Sequence, residues 1–394
     1  MKKDVSIETN ALYVGNEQVK GDIYPESPAI YQTTSFILKD LDELYEKYDN
    51  DDFTYSRLSN PNRSQLSEVM SYLEKGKNTL LVSSGMSAIS IAIMTIIKSG
   101  DHVLANSKLY GETTIFLKEI LNDYGVECDF VDFSDENQIR ENIKSNTKLL
   151  YTEIISNPLT SIVDIRKVTE IAKLSNCKVI VDNTFTTPYL ISPLEFGVDI
   201  VVNSLTKSLN GHFDVTAGAI TINDEELYKR AEKLLVLFGS VLDPNSSWLT
   251  LRGIRTAKLR IQKQNSNAKD LAIELSKHEK VKNVFHPSLQ NHAQHELAKE
   301  IIEEGSFGAI LSFEIEDSYE MMNKLIQNFN LIKYANTLGG YKTTVSHPCS
   351  SSHYGIDDEQ RRKVGIHQGV LRISCGIEDS KDLIRDLKQA LDKL

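Results

Sequence analysis

A lysine and an aspartate, each at the end of a predicted buried strand, have the clearest capacity for chemistry in this sequence. Lys207 follows the apolar segment DIVVNS (199–204), and Asp182 ends the apolar segment KVIVD (178–182). Ligand sites of α/β folds lie at the carboxyl ends of such strands. A lysine removed from water there has a lowered pKa and is suited to Schiff-base chemistry. An aspartate there can keep a pyridinium nitrogen protonated, as an electron-sink cofactor requires.

Each of these residues alone also has an ordinary structural interpretation. Lys207 fits a surface lysine in a Ser-rich loop equally well, and an isolated Asp182 is more often a turn or helix N-cap residue. The hydroxyls of Ser204 and Thr206, which suit a phosphate, stand just before the lysine. An aspartate at the end of one strand, followed by a lysine with adjacent hydroxyls after the next, is much less expected by chance than either residue alone. The combination predicts a pyridoxal 5'-phosphate (PLP) site.

A small-residue turn earlier in the chain is a candidate phosphate site. The segment 78–97 is predicted to form a strand, a Ser-Ser-Gly turn and a long apolar helix. A helix N-terminus exposes backbone N–H groups, and its dipole favours an anion. Ser84, Gly85 and Met86 are therefore predicted to bind the cofactor phosphate. Alone the signal is weak, because most such turns merely begin helices.

The segments VDNTFTTPYL (181–190) and NSLTKSLNGHFDVTAGAI (203–220) resemble the Cys/Met-metabolism family of PLP-dependent enzymes. That family includes cystathionine γ- and β-lyases, cystathionine γ-synthase, methionine γ-lyase and O-acetylhomoserine sulfhydrylase. The resemblance covers nearly the whole chain, and its motifs are more specific to the family than to any one member. It implies the aspartate-aminotransferase-like α/β fold (fold type I) of PLP-dependent transferases.

The resemblance also implies roles for three residues that have plain structural alternatives. Tyr110, in LYG, would stack on the cofactor and pass a proton to a departing sulfur, although a half-buried core tyrosine is the default. Asn157, in SNP, would bind the cofactor and the substrate carboxylate, although an Asn-Pro turn is as common. Arg372 lies within a predicted strand, where a charge needs a partner. The family places its carboxylate-binding arginine there, which suits a bidentate guanidinium; an internal acid is the alternative partner.

Tyr55 and Arg57, in the motif YSR, would be surface-loop residues without that resemblance. In the family this motif contacts the cofactor phosphate of the partner subunit. The resemblance thus implies a homodimer with shared active sites, and a homotetramer built from two such dimers.

Three positions depart from the specificity patterns of the family. Glu112 follows LYG where relatives commonly carry Gly and methionine γ-lyases carry Cys. Asn336 and Thr337 replace the Glu-Ser usual in cystathionine γ-lyases, and residues 235–236 lack the Lys-Asp pair typical of methionine γ-lyase. Glu112 and Thr337 are predicted to contact substrate. The Glu112 carboxylate either favours a substrate with a cationic distal group or points outward, and the sequence leaves both open.

The elements that must position these residues form a recognisable pattern. Five or six short apolar strands alternate with helices between about 60 and 220, which predicts a mostly parallel, doubly wound sheet. Glu153, on one of these strands, is interpreted as structural. An N-terminal arm contacting a partner subunit (1–59), a PLP-binding α/β domain (60–249) and a smaller C-terminal α+β domain (250–394) are expected.

Composition excludes several classes of protein. The 55 acidic and 44 basic residues give a net charge of −11, which disfavours nucleic acid or an anionic membrane as a partner. The longest apolar run has ten residues, too short to span a bilayer, and the N-terminus does not resemble a secretory signal. Four widely spaced cysteines indicate free thiols in a reducing cytoplasm. The pairs His292/His295 and His347/His353 lack supporting carboxylates, so no metal is predicted.

The leading functional hypothesis is elimination of a γ- or β-sulfur substituent from a small amino acid such as cystathionine, methionine, homocysteine or cysteine. A γ-replacement transferase is the second hypothesis, and a non-catalytic homologue that uses the fold for binding is the third. The presence of Lys207 argues against the third. The resemblance implies that Lys207 holds PLP and acts as the base, with Tyr110 as general acid.

Overall fold

A seven-stranded sheet forms the centre of the protein in a computed structural model that describes residues 6–15, 25–50, 52–303 and 305–394. Its strands are β1 (Asn78–Val82), β2 (His102–Asn106), β3 (Glu127–Val131), β4 (Thr147–Glu153), β5 (Lys178–Asp182), β6 (Ile200–Ser204) and β7 (Gly218–Ile222). Their order is β1-β7-β6-β5-β4-β2-β3. β7 is antiparallel to both neighbours, whereas β6, β5, β4, β2 and β3 are parallel.

Helices cover both faces of this sheet, because its strands carry apolar residues on each side. One face packs against α3, α8 and α10, and the other against α4 and α9. A π-helical segment, Phe116–Ile120, joins two of the helices. The helices up to residue 275 are α1 (Ile7–Tyr13), α2 (Leu41–Asp49), α3 (Pro61–Leu73), α4 (Gly85–Ile96), α5 (Gly111–Ile115), α6 (Leu121–Asp123), α7 (Glu136–Asn142), α8 (Ile165–Leu174), α9 (Glu225–Phe238), α10 (Pro244–Ile254) and α11 (Ala257–Leu275).

The C-terminal part contains a second sheet with its own apolar core. Its five strands have the order β10-β11-β12-β9-β8, and only β10 and β11 are parallel. α11, α13 and α15 pack against it. The remaining elements are β8 (Asn283–Phe285), α12 (His295–Ile301), β9 (Ile310–Glu314), α13 (Tyr319–Asn328), β10 (Lys333–Tyr334), β11 (Thr344–Ser346), α14 (Asp358–Lys363), β12 (Val370–Ser374) and α15 (Ser380–Leu391).

The predicted fold class, a mostly parallel α/β sheet with a smaller α+β part, is confirmed. Strand β10 is only two residues long, because the chain turns after Tyr334 and the Thr337 N–H donates to the carbonyl of Ala335. The domain limits at 59/60 and 249/250 stay predictions, and α10 runs across the second of them.

Candidate active site

A cavity of about 250 Å³ lies where β4, β5 and β6 of the central sheet end and β12 of the second sheet approaches them. Its wall brings together residues from eight separate parts of the sequence. Twelve of the fourteen predicted site residues line it: Ser84, Gly85, Met86, Tyr110, Glu112, Asn157, Asp182, Ser204, Thr206, Lys207, Thr337 and Arg372. The clustering follows from parallel pairing, which places the carboxyl ends of neighbouring strands at one edge of the sheet.

Lys207 lies in the turn that follows β6, where its backbone N–H donates to the carbonyl of Ser204 at 3.2 Å. Burial and the nearby charge of Arg372 lower the pKa of the Lys207 amine, and the Asp182 carboxylate opposes that change. A lowered pKa leaves more of the amine neutral near pH 7. Only the neutral amine is nucleophilic, so the position suits covalent attachment of a carbonyl compound.

Asp182 ends β5 and accepts a hydrogen bond from the Thr184 N–H at 2.9 Å. The Thr184 hydroxyl accepts from the Ser204 N–H at 2.7 Å, so this threonine connects the ends of β5 and β6. Burial raises the pKa of Asp182, and no cation of the described residues forms an ion pair with it. A ligand that brings a protonated ring nitrogen would supply the missing positive charge.

The predicted phosphate site lies at the start of α4, a helix of twelve residues. Ser84 is the N-cap, and its hydroxyl accepts from the Ser87 N–H at 3.1 Å. A Cβ at Gly85 would lie 2.8 Å from the Ser204 side chain, so only glycine allows this approach. The N–H groups of the first helical turn face no intrahelical acceptor and are suited to bind an anion. The Thr206 hydroxyl also donates to the carbonyl of Ala217, which holds the lysine turn.

Arg372 lies on β12, and only 3% of it is exposed. Its guanidinium donates to Asn157 Oδ1 at 3.1 Å and to the carbonyl of Thr337 at 3.0 Å. Its Nε is buried and has no hydrogen-bond partner among the residues described. Burial lowers the pKa of Arg372 to about 10, which still leaves it charged at neutral pH. No internal acid pairs with it among the described residues, so it is available to a substrate carboxylate.

Tyr110 is the N-cap residue of α5, and its N–H donates to Glu153 Oε1 at 2.7 Å. Burial, together with Glu112 and Glu153, raises the pKa of the Tyr110 phenol, although Arg372 lowers it. The phenol is therefore protonated at neutral pH and can donate a proton. Glu153 lines the cavity itself, and burial with the charge of Asp182 raises its pKa to about 8.

Ten residues that were not predicted as site residues also line the cavity. Glu153 was interpreted as structural, yet it ends β4 and pairs in register with Asp182, a position that could have revealed it. Of the others, Ile89 lies on α4, and the rest come from loops, where no periodicity marks them. The set besides Glu153 is Ile89, Ile155, Thr184, Phe185, Thr216, Asn336, Leu338, Ser351 and Ser352.

Tyr55 and Arg57 do not line the cavity of their own chain. Arg57 donates to the carbonyl of Val236 at 3.0 Å, and its guanidinium lies 5.5 Å from the centre of the Tyr55 ring. Tyr55 is 43% exposed. A site formed within one chain therefore lacks both residues, and their predicted contact with a partner's site stays a prediction.

The remaining chemistry-bearing groups lie outside the cavity. In the described part of the chain, no three His, Cys, Asp or Glu side chains are grouped as metal ligands. All four cysteines are free, and Cys349 and Cys375 are buried away from the cavity wall. None of the helices described is long and apolar enough to cross a lipid bilayer.

Glu74 is a fully buried carboxylate that does not line the cavity. It follows α3 and accepts hydrogen bonds from Asn183 Nδ2 at 3.0 Å and Asn203 Nδ2 at 2.6 Å. Those asparagines are the chain neighbours of Asp182 and Ser204. Burial raises the pKa of Glu74 from its ordinary value of 4.5 to about 7, because no cation offsets the lost hydration.

We expect Glu74→Gln to remove a pH dependence of stability. Between about pH 4.5 and 7 the folded protein keeps a proton that the unfolded chain has released. The free energy of unfolding therefore falls by about 3 kcal/mol as the pH rises through this range. The glutamine variant should lack this fall, which urea unfolding at pH 5 and pH 8 would measure. Glu170→Gln, at an exposed position on α8, is the control. Equal pH slopes for wild type and Glu74→Gln would contradict the assignment.

The cavity and the sheet around it define a PLP-dependent enzyme of fold type I. The donor set fits that cofactor. It consists of a lysine with a lowered pKa, a half-buried aspartate that forms no ion pair with a described residue, and a helix N-terminus whose approach to Ser204 requires glycine. A sequence model of the Cys/Met metabolism PLP-dependent enzymes matches residues 8–392. The chain belongs to that family.

Named relatives agree with the family assignment. The chain is 42% identical to cystathionine beta-lyase MetC of Bacillus subtilis (strain 168) over 342 residues, which is 87% of each protein. It is 36% identical to L-methionine gamma-lyase of Fusobacterium nucleatum subsp. polymorphum, covering 100% of this chain and 99% of that protein. The chain also resembles a crystal structure of cystathionine gamma synthase from Xanthomonas oryzae pv. oryzae in complex with aminoacrylate and cysteine. The two superpose with a TM-score of 0.93 at 31% identity, covering 99% of this chain and 98% of that one.

Proposed function

We propose that the protein is a carbon–sulfur lyase that eliminates the γ- or β-sulfur substituent of an amino acid and releases a 2-oxo acid, ammonia and a thiol. The observation that carries the proposal is the pairing, in one cavity, of Lys207 with a lowered pKa and Arg372 with an unpartnered Nε. The first suits covalent attachment and proton removal, and the second suits the α-carboxylate of an amino acid. Relatives named as lyases of cystathionine and methionine support it.

The proposed cofactor contacts follow from the wall of the cavity. Lys207 would hold PLP covalently, and Asp182 would balance the positive charge of its ring nitrogen. When bound, PLP withdraws electrons from the α-carbon of an attached amino acid, which makes its proton removable. The phosphate is bound by hydroxyls and by N–H groups at the start of α4. Its proposed partners in this chain are Ser84, Gly85, Met86, Ser204 and Thr206.

The proposed proton transfers use two groups of the chain. Lys207, as a neutral amine, would take the α-proton as general base, which its lowered pKa favours. The protonated Tyr110 phenol gives a proton to the departing sulfur. Arg372 and Asn157, which are already hydrogen-bonded to each other, orient the substrate carboxylate, and Thr337 lies beside them.

A γ-replacement reaction is the second candidate function. It uses an acylated homoserine and a thiol or cysteine in place of water. The observation that favours it is the TM-score of 0.93 with a protein named cystathionine gamma synthase. The same lysine, aspartate and arginine serve both reactions, so residue identities in the cavity do not separate them.

A product assay on the cofactor-loaded enzyme separates the two functions. Methionine, cystathionine, homocysteine, cysteine and O-acetylhomoserine are offered singly, with and without an added thiol. A keto acid and ammonia formed without an acceptor establish a lyase, with 2-oxobutanoate indicating γ- and pyruvate β-cleavage. Turnover that requires both O-acetylhomoserine and a thiol would replace the proposal with γ-replacement.

Glu112 at the rim of the cavity offers a test of substrate choice. It is exposed and forms no ion pair with a described residue. If it contacts the distal ammonium of cystathionine, Glu112→Gln should raise KM for cystathionine and leave KM for methionine unchanged. The expected rise is up to about fivefold, because an exposed ion pair contributes up to about 1 kcal/mol. Glu119→Gln, exposed in the following π-helical segment, is the control. Equal effects on both substrates would mean that Glu112 points away from them.

We also propose a homodimer with shared active sites, which pairs into a homotetramer in the cytoplasm. The absence of Tyr55 and Arg57 from their own chain's cavity supports sharing, since both are expected at a cofactor phosphate. The domain limits 1–59, 60–249 and 250–394 belong to the same proposal.

A further inference from the structure

Arg260 is a buried arginine that bonds almost only to the main chain. It lies on α11, is 6% exposed, and forms no ion pair with a carboxylate among the described residues. Its Nη1 donates to the carbonyl of Ser208 at 2.8 Å, and its Nη2 donates to the carbonyls of Leu209 at 3.1 Å and Gly253 at 2.6 Å. Two of these three carbonyls belong to the residues directly after Lys207.

The charge of Arg260 is costly to bury without a counter-ion. Burial lowers its pKa to about 10, so it still carries its charge at neutral pH. The short, charge-assisted bonds to three carbonyls offset part of that cost. An apolar side chain of similar volume would satisfy packing alone, so what the arginine adds is a fixed geometry for the carbonyls that it contacts.

The turn after Lys207 is built to accept this guanidinium. The Gly211 N–H donates to the carbonyl of Lys207 at 2.8 Å, which closes the turn. Gly211 has a φ of +73°, and a Cβ there would lie 1.7 Å from Arg260 Nη1. The glycine therefore meets two requirements at once: left-handed backbone and room for the guanidinium. This explains the glycine of the Gly-His pair that follows the lysine in the sequence.

We propose that Arg260 is a positioning residue. It fixes the main chain that carries Lys207, and thereby the direction of the lysine amine. This inference rests on the proposed role of Lys207. The guanidinium touches neither the cavity nor a substrate. It acts through the carbonyls of Ser208 and Leu209. Loosening this turn should displace the amine relative to Asp182, and a displacement of about 1 Å can cost about 10²-fold in rate.

The test is Arg260→Lys, which keeps the charge but loses the planar fork of donors. Expected results are a fall of about 10²-fold in kcat with a smaller change in KM, a shifted pH midpoint of the visible absorption band of bound cofactor, and faster cofactor dissociation. Arg255→Lys is the matched control. Arg255 donates to the carbonyls of Ala11 and Val14, which do not belong to the lysine turn.

Gly211→Ala is the second variant, because it displaces the guanidinium without changing it. It should shift the same absorption midpoint, and thermal unfolding of each variant without cofactor establishes that it folds. Wild-type midpoints and dissociation rates in folded Arg260→Lys would overturn the positioning role. An absorption band that survives in Lys207→Ala would instead overturn the proposed function, so the two failures are distinguishable.

Discussion

Replacing Lys207 with alanine should abolish both covalent cofactor binding and turnover, with activity lower by at least about 10³-fold. The variant lacks the amine that holds the cofactor and also the base that takes the α-proton. The structure offers no substitute, because Lys207 is the only lysine that lines the cavity in the described part of the chain. The visible absorption spectrum after dialysis against free cofactor, together with the product assay, measures both losses.

The controls for this prediction separate chemistry from folding. Lys173→Ala removes an exposed lysine at the end of α8 and should retain the spectrum and the activity of the wild type. Thermal unfolding of Lys207→Ala should match that of the wild-type protein without cofactor, since the amine forms no ion pair with any residue that the structure describes. Turnover by Lys207→Ala near the wild-type rate would contradict the catalytic assignment. The non-catalytic hypothesis would return only if the wild type itself were inactive on every substrate offered.

Residues at strand ends were predictable because the physical rule is local. An apolar run followed by a polar residue marks a buried strand and its carboxyl end, and this rule found Asp182 and Lys207. Glu153 satisfies the same rule at the end of β4. It was assigned to structure because a carboxylate that faces a cavity and one that faces a helix look alike in the sequence.

Buried charged residues whose partners lie far along the chain could not be predicted in this way. Arg260 is separated from Ser208 by 52 residues, and Glu74 from Asn203 by 129. Their partners are backbone carbonyls and side-chain amides, which carry no signal of their own in the sequence. Long-range packing decides these contacts, so a buried charge without a counter-ion becomes visible only in the folded chain.

The roles of Tyr55 and Arg57 could not be predicted from residue patterns, because only the resemblance to the family suggested them. In the single chain, both residues lie away from its cavity. Mixed dimers should decide where they act. Co-expression of Arg57→Ala and Lys207→Ala subunits with two different tags allows the hybrid dimer to be purified. We expect it to show about half the wild-type activity, although each parent homodimer is nearly inactive.

The expectation follows from counting lesions at each site of the hybrid. If Arg57 acts across the interface, the site built on the Lys207 of one subunit receives the intact Arg57 of the other, and the second site carries both lesions. If Arg57 acts within its own chain, each site carries one lesion and neither works. The doubly tagged wild type sets the full activity, and a hybrid no more active than its parents would contradict sharing. Because the guanidinium in the single chain donates to the carbonyl of Val236 and not into the cavity, we expect recovery.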